Sequence, residues 1–256
     1  MFDRIRIEHL GLTYDTAGGR FDAVGDVSFA IERREICCLV GPSGCGKSSL
    51  LNALGGLLAP TGGRIVVESS EPRDLAALRK GMVFQEYALF PWRTALGNVE
   101  FGLEVLGQAP AERRRNARQA LEQVGLSAFA DFHPHRLSGG MRQRVAVARA
   151  LAFDPDVLLM DEPFAALDEQ MREDLQALVV QLWEQTGRTI VYVTHSINEA
   201  VFLADRVIVL SPRPGTVRAQ LAIDLKRPRN RLSNEFLDHQ RELTELVRGA
   251  GATPRR

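Results

Sequence analysis

Apolar and polar residues alternate near the start of the chain. Ile5 and Ile7 sit between charged neighbours, and Val27, Phe29 and Ile31 alternate again before Glu32. A period of two predicts half-buried strands, and Asp15 to Arg20, with Gly18-Gly19, predicts the turn between them. Ile36 to Val40 is a continuous apolar run, the pattern of a strand buried on both faces. A glycine-rich segment follows. Then Leu50, Leu51, Leu54 and Leu57 recur at helical spacing within Ser48 to Leu57. Thr61-Gly62-Gly63 predicts a turn and Ile65 to Val67 a strand. Residues 71 to 80 predict a helix, and Met82 to Phe84 a strand that stops at Gln85.

From Glu86 to about Phe153 the composition changes. Glu112, Arg113, Arg114, Arg115 and Arg118 precede Leu121 and Val124, which predicts an amphipathic helix with a solvated face. A second helix is expected from Gly140 to Leu151. Val157 to Met160 predicts a buried strand. Leu175, Leu178, Val179 and Leu182 predict a helix, Ile190 to Val193 a strand, Glu199 to Leu203 a short helix, and Val207 to Leu210 a last core strand. The charged tail from Pro228 holds one helix, Glu235 to Val247, with Phe236, Leu243 and Val247 on one stripe. Strands alternating with helices predict an α/β fold with a largely parallel sheet.

Composition narrows the function. Thirty-two Lys and Arg balance 32 Asp and Glu, and 45% of the 256 residues are apolar. The balance argues against nucleic acid or a polybasic membrane contact. The apolar share argues against disorder. A membrane-spanning helix needs about 20 mostly apolar residues, and the longest apolar run is five. The polar start Phe2-Asp3-Arg4 is no signal peptide. Cys37, Cys38 and Cys45 form neither a disulfide framework nor a zinc pattern, which fits a reducing cytosol. Only three residues are Lys (Lys47, Lys80 and Lys226), so each position is informative.

Lys47 lies in Gly41-Pro42-Ser43-Gly44-Cys45-Gly46-Lys47-Ser48-Ser49, which matches the phosphate-loop pattern. The glycines let successive backbone N–H groups turn inward onto phosphate oxygens. The helix that follows adds its positive end. Lys47 supplies a charge to the β- and γ-phosphates, and the Ser48 hydroxyl can ligate Mg²⁺. Val157-Leu158-Leu159-Met160-Asp161-Glu162 is an apolar strand ending in carboxylates. Asp161 would stand at the sheet edge where ligands bind and hold the Mg²⁺ shell. Glu162 could accept a proton from an attacking water. The plainer reading of this pair is a helix N-cap before Pro163.

Leu137-Ser138-Gly139-Gly140-Met141-Arg142-Gln143-Arg144 precedes an apolar helix. Ser138 is a good N-cap, and Gly139 and Gly140 leave helix-end N–H groups accessible, a second possible anion site. Here the chain resembles the ATPase subunit of an ABC transporter, whose signature segment LSGGQ reads LSGGM in this sequence. The resemblance runs from about Ile5 to Leu225, with the motifs in order. It implies a RecA-like phosphate-loop core (1–85 and 157–225) with an N-terminal antiparallel β-subdomain. It also implies an inserted helical subdomain (86–156) and a C-terminal helical tail (226–256). By resemblance Tyr14 stacks on adenine, Gln85 meets Mg²⁺ and the attacking water, Asp161 binds the metal, and Glu162 is catalytic. Ala166-Leu167-Asp168 crosses a dimer interface, and His195 touches the γ-phosphate. Ser196 stands where many relatives carry Asp.

The family mechanism is then implied. Two copies pack head to tail, each ATP between one copy's phosphate loop and the other's Ser138–Gly140. Closing and reopening drives a membrane permease, with Glu86 to Asn98 as the docking groove. Phe90, Pro91 and Trp92 are unusually apolar for a connecting loop, though they could simply pack the helical subdomain. VFQ followed by FPW, LSGGMRQR, DEPFAALD and FLADRVIVLSPRPG resemble the nitrate/sulfonate/taurine import group, with Ser211-Pro212-Arg213-Pro214-Gly215 the most distinctive. A periplasmic or extracellular solute-binding protein is an indirect partner, and the chain is expected at the cytoplasmic face of the inner membrane. The alternative is a soluble ABC ATPase. Repair members carry a long coiled coil before the signature and translation members two ATPase domains, and neither pattern occurs here. A small-molecule kinase would have no use for LSGGM. A purely binding module would not need Glu162 and His195. Cys45, at a helix N-terminus beside Lys47, is expected to have a depressed pKa and react readily, and Cys37 and Cys38 to be inert.

Overall fold

The alternating segments fold as long antiparallel strands and the continuous apolar runs as short parallel ones. In a computed structural model, residues 2–16, 19–70 and 74–251 are described. Along the chain come β1 (Phe2–Thr16), β2 (Gly19–Glu32), β3 (Ile36–Val40), α1 (Lys47–Gly55) and β4 (Gly62–Ser69). Then follow β5 (Lys80–Val83), α2 (Ala95–Val105), α3 (Pro110–Gln123), α4 (Gly139–Leu151), β6 (Val157–Asp161) and α5 (Glu169–Thr186). The rest are β7 (Thr189–Val193), α6 (Ile197–Leu203), β8 (Arg206–Leu210), β9 (Val217–Ala222) and α7 (Asn234–Gly251). The turn expected at Asp15 to Arg20 includes Ala17 and Gly18, which lie outside the described residues.

Packing divides the chain into two units, Met1–Leu78 with Thr189–Arg256, and Arg79–Arg188. In the first, β1 pairs antiparallel with β2 and β4. Ile5 faces Ile31 and Ile7 faces Phe29 across the hairpin, and all four are buried, so one face of the alternating pattern forms core. The same unit places β3 between parallel β7 and β8, with β9 antiparallel on β8. Every residue of β3 and β7 is buried, as a two-sided strand requires. α7 lies against α6, β8 and β9, and Phe236 and Leu243 of its stripe are fully buried. In the second unit β5 and β6 pair in parallel, while α2, α3 and α4 pack on one another.

Three elements differ from the pattern reading. The helix expected over 71–80 is a single 3₁₀ turn, Leu75–Ala77, with Asp74 accepting from the Ala77 N–H at 2.8 Å. Residues 71–73 lie outside the described residues. The turn cannot lengthen because Lys80 already enters β5 opposite Val157. The pattern also gave no sign of α2, whose Gly97 and Gly102 weaken helix propensity. Packing overrides that: a Cβ on Gly102 would stand 1.9 Å from Phe153 Cζ, so only glycine admits this ring. The edge strand β9 was missed as well; its positions are only half-buried in alternation.

Candidate functional site

The phosphate loop is set by the strand and helix around it. Buried β3 ends at Val40, and α1 begins at Lys47. Gly46 caps the helix with φ 94°, and a Cβ there would lie 2.5 Å from Val24 Cγ2. Glycine is therefore required twice over, for the left-handed backbone and for the close approach. Lys47 is buried, and its ammonium donates to the Gly41 carbonyl at 2.9 Å and the Pro42 carbonyl at 3.1 Å. The cation is thus folded back onto the first two carbonyls of its own loop. Ser43, Gly44 and Ser48 are exposed along that loop.

Cys45 departs from expectation. Its side chain is only 1% exposed, and burial pushes the thiol up, outweighing the Lys47 ammonium 3.9 Å from Sγ. The nearby cation does favour the thiolate, but the cost of taking that thiolate out of water is the larger effect here. Cys37 and Cys38 are fully buried and also raised.

The same unit carries Tyr14 and His195. Tyr14 pairs with Phe21 across the hairpin, the rings 6.2 Å apart at 28°. Its Oη donates to Ser49 Oγ at 2.9 Å, so the β1 aromatic is tied to the first turn of α1. His195 is exposed, just after β7. Its neighbours are fixed by buried Glu199, whose Oε2 accepts from Thr194 Oγ1 at 2.6 Å and Tyr192 Oη at 3.2 Å. Ser196 caps α6, accepting from the Glu199 N–H at 3.3 Å. Serine thus keeps the capping function that an aspartate there would serve.

The second unit carries the remaining candidates. Gln85 is exposed in the segment after β5. Asp161 ends β6, and Glu162 follows with φ 41°, a left-handed backbone that non-glycine residues rarely adopt. Ser138 caps α4, accepting from the Met141 N–H at 3.3 Å. Only the backbone of Met141 serves the cap, so the departure from LSGGQ leaves this helix end intact. Asp168 caps α5, accepting from the Met171 N–H at 3.0 Å.

A groove of about 430 Å³ in this unit is lined by Phe84, Phe90, Phe101, Val105, Leu106 and Phe153. Phe90 packs on Phe101 with ring centroids 4.5 Å apart, whereas Trp92 is 71% exposed. Beneath the loop, Asn98 is fully buried and bonds both the N–H and the carbonyl of Phe90. Arg149 donates to the Tyr87 and Ala88 carbonyls. Sequence reasoning placed Asn98 only as the end of the docking segment, without its role in holding the loop, and missed Arg149. A lone amide among the apolar residues of α2 is the signal that could have found the first.

A family profile described as ABC transporter matches residues 24–165. The nitrate import ATP-binding protein NrtD of Synechocystis sp. is 44% identical over 254 residues, covering 96% of this chain and 95% of that protein. The taurine import ATP-binding protein TauB of Rhizobium johnstonii is 45% identical over 224 residues, covering 87% and 85%. Among solved structures, the dimeric post-hydrolysis state of the ATP-binding cassette MJ0796 bound to ADP and Pi is similar, with a TM-score of 0.74 and 35% identity. It covers 87% of this chain and 100% of that one.

Proposed function

The chain belongs to the ABC transporter family, and on that premise we propose that its ATP hydrolysis drives import of a small solute through a membrane permease. The solute is of the nitrate, taurine or sulfonate kind. The observation that carries the reading is the phosphate loop between buried β3 and α1, with the Lys47 ammonium held on the Gly41 and Pro42 carbonyls of that loop. Phosphate oxygens outbid neutral carbonyls for an ammonium because both partners are charged. Lys47 therefore passes from Gly41 and Pro42 to the β- and γ-phosphates when ATP binds, and Tyr14 stacks on the adenine.

Glu162 polarises the attacking water. Its left-handed backbone costs on the order of 1–3 kcal/mol, strain of the kind found where a side chain must be aimed. His195 contacts the γ-phosphate from a loop held by Glu199. Mg²⁺ would be held by Ser48, Gln85 and Asp161 with the phosphates, and when bound it neutralises developing charge. These oxygen donors suit a hard ion that keeps waters and substrate ligands. Consistently, no group of three or more His, Cys, Asp or Glu among the described residues could form a metal site from protein alone.

Two copies share each ATP, the second contributing Ser138, Gly139, Gly140 and Asp168. The dimeric likeness to MJ0796 supports this arrangement. The groove beside Trp92 is the permease contact, and the solute-binding protein acts on the permease. Among the described residues no helix is long and apolar enough to cross a membrane, which is consistent with peripheral attachment at the cytoplasmic face. The test is co-expression with its cognate membrane permease. The chain should appear in the membrane fraction only with the permease, and a Trp92→Glu variant should not. A chain that stays soluble with its permease present would overturn the transport reading.

A further inference from the structure

Ser211-Pro212-Arg213-Pro214-Gly215, distinctive in the sequence, has no part in the chemistry above. It connects β8 to β9 and lies on the phosphate loop. The Gly215 N–H donates to the Ala23 carbonyl at 3.1 Å, and the Gly215 carbonyl accepts from the Gly25 N–H at 2.9 Å, which pins the segment to β2. A Cβ on Gly215 would stand 2.0 Å from the Cys45 carbonyl oxygen, so here backbone runs directly against backbone. Arg213 extends the contact. Its Nε donates to the Gly44 carbonyl at 3.2 Å, and its guanidinium lies 4.2 Å from the Phe21 ring centroid.

These contacts close a circuit. Gly44 is held by Arg213, Arg213 stacks on Phe21, Phe21 pairs with Tyr14, and Tyr14 bonds Ser49 at the far end of the same loop. A guanidinium suits the position because its plane can stack while its edge donates. A lysine can do one or the other. Arg213 is exposed and carries rotamer entropy of about 2 kcal/mol when free, so two anchors hold a side chain that would otherwise sample solvent.

We propose that Arg213 is a positioning residue for the nucleotide, fixing the spacing between the phosphate loop and the Tyr14 ring. A purine nucleoside triphosphate spans that spacing, its phosphates at one end and its base at the other. This rests on the reading of Gly41–Ser49 as the ATP-binding loop. Arg213 acts through Gly44 and Phe21, so its effect belongs to binding more than to turnover.

The experiment measures binding of a methylanthraniloyl-ATP probe and steady-state ATP hydrolysis with the full chain. Losing one charge-assisted hydrogen bond and its stacking predicts that Arg213→Ala raises the probe Kd and the KM for ATP about five- to tenfold. The kcat should stay within about twofold, because the lost energy is uniform binding. Phe21→Leu should move both constants the same way by less, and the double variant should be no worse than Arg213→Ala alone. Thermal unfolding of Arg213→Ala should stay cooperative and its midpoint should fall by no more than about 2–4 °C, the size of one exposed contact pair lost from the folded chain. An unchanged Kd in Arg213→Ala, full recovery by Arg213→Lys, or additive effects of the two changes would overturn the proposal. Lys47→Ala separates the two levels. If it binds the probe like the parent, the loop reading itself fails; if it loses binding while Arg213→Ala does not, only the role of Arg213 fails.

Discussion

Asn98→Ala should destabilise the protein by about 3 kcal/mol, because that one amide organises the Phe90–Thr94 loop. Its Oδ1 accepts from the Phe90 N–H at 2.7 Å. Its Nδ2 donates to the carbonyls of Phe90 (3.1 Å), Arg93 (3.2 Å) and Thr94 (3.0 Å). Alanine removes all four bonds, but unequally. The Thr94 carbonyl keeps the Asn98 N–H at 2.9 Å and the Phe90 carbonyl keeps the Arg93 N–H at 3.1 Å. The Phe90 N–H and the Arg93 carbonyl bear the largest loss, about 1 kcal/mol or more each, with smaller terms from the other two. Equilibrium urea unfolding measures the sum. Asn98→Asp sharpens the test. At neutral pH its carboxylate would face three carbonyls, so the folded-state pKa is raised and the penalty is present above it. As pH falls through that pKa the neutral acid can donate, and the deficit should shrink. A loss below about 1 kcal/mol for alanine, or an aspartate variant as stable as the parent at neutral pH, would refute the reasoning.

Other outcomes follow from buried groups. Cys37, Cys38 and Cys45 should all resist maleimide in the folded chain and react on unfolding, because burial raises each thiol; rapid labelling of the native protein would contradict this. Gly102→Ala forces Phe153 aside from a 1.9 Å clash. It should cost about 1–2 kcal/mol in thermal unfolding despite better helix propensity, and a stabilised variant would refute the packing. Arg229 donates to the Val201, Phe202 and Ala204 carbonyls at the end of α6 and to Ile223 and Leu225. Burial lowers its pKa to about 10. Arg229→Lys, a point charge without the planar fork, should lose about 2–4 kcal/mol in urea unfolding, and parent-like stability would count against that account.

What the sequence made legible was local. The phosphate loop needs a strand, glycines, one lysine and a helix within twenty residues, and each leaves its own trace between Ile36 and Gly55. Ser138 was legible for the same reason, since a cap is read from the residues it precedes, whereas Asp168 entered only by resemblance and its capping of α5 came from the structure. What stayed hidden was set by distant partners. Gly102 reads as a helix breaker until Phe153 is placed against it. Arg213 reads as a loop cation until Gly44, 169 residues away in sequence, accepts its Nε–H. The reactivity expected of Cys45 failed because charge proximity can be inferred along the chain, whereas burial is decided by packing.

The central claim is that Glu162 activates water on an ATP held by the Lys47 loop. It is tested most directly by measuring ATP binding and single-turnover hydrolysis in Glu162→Gln. Glutamine keeps the size of the side chain but cannot take the proton. Binding should stay within about twofold of the parent while hydrolysis falls by about 10² or more, and ATP should trap a dimer in sedimentation. Hydrolysis at the parent rate would contradict the account.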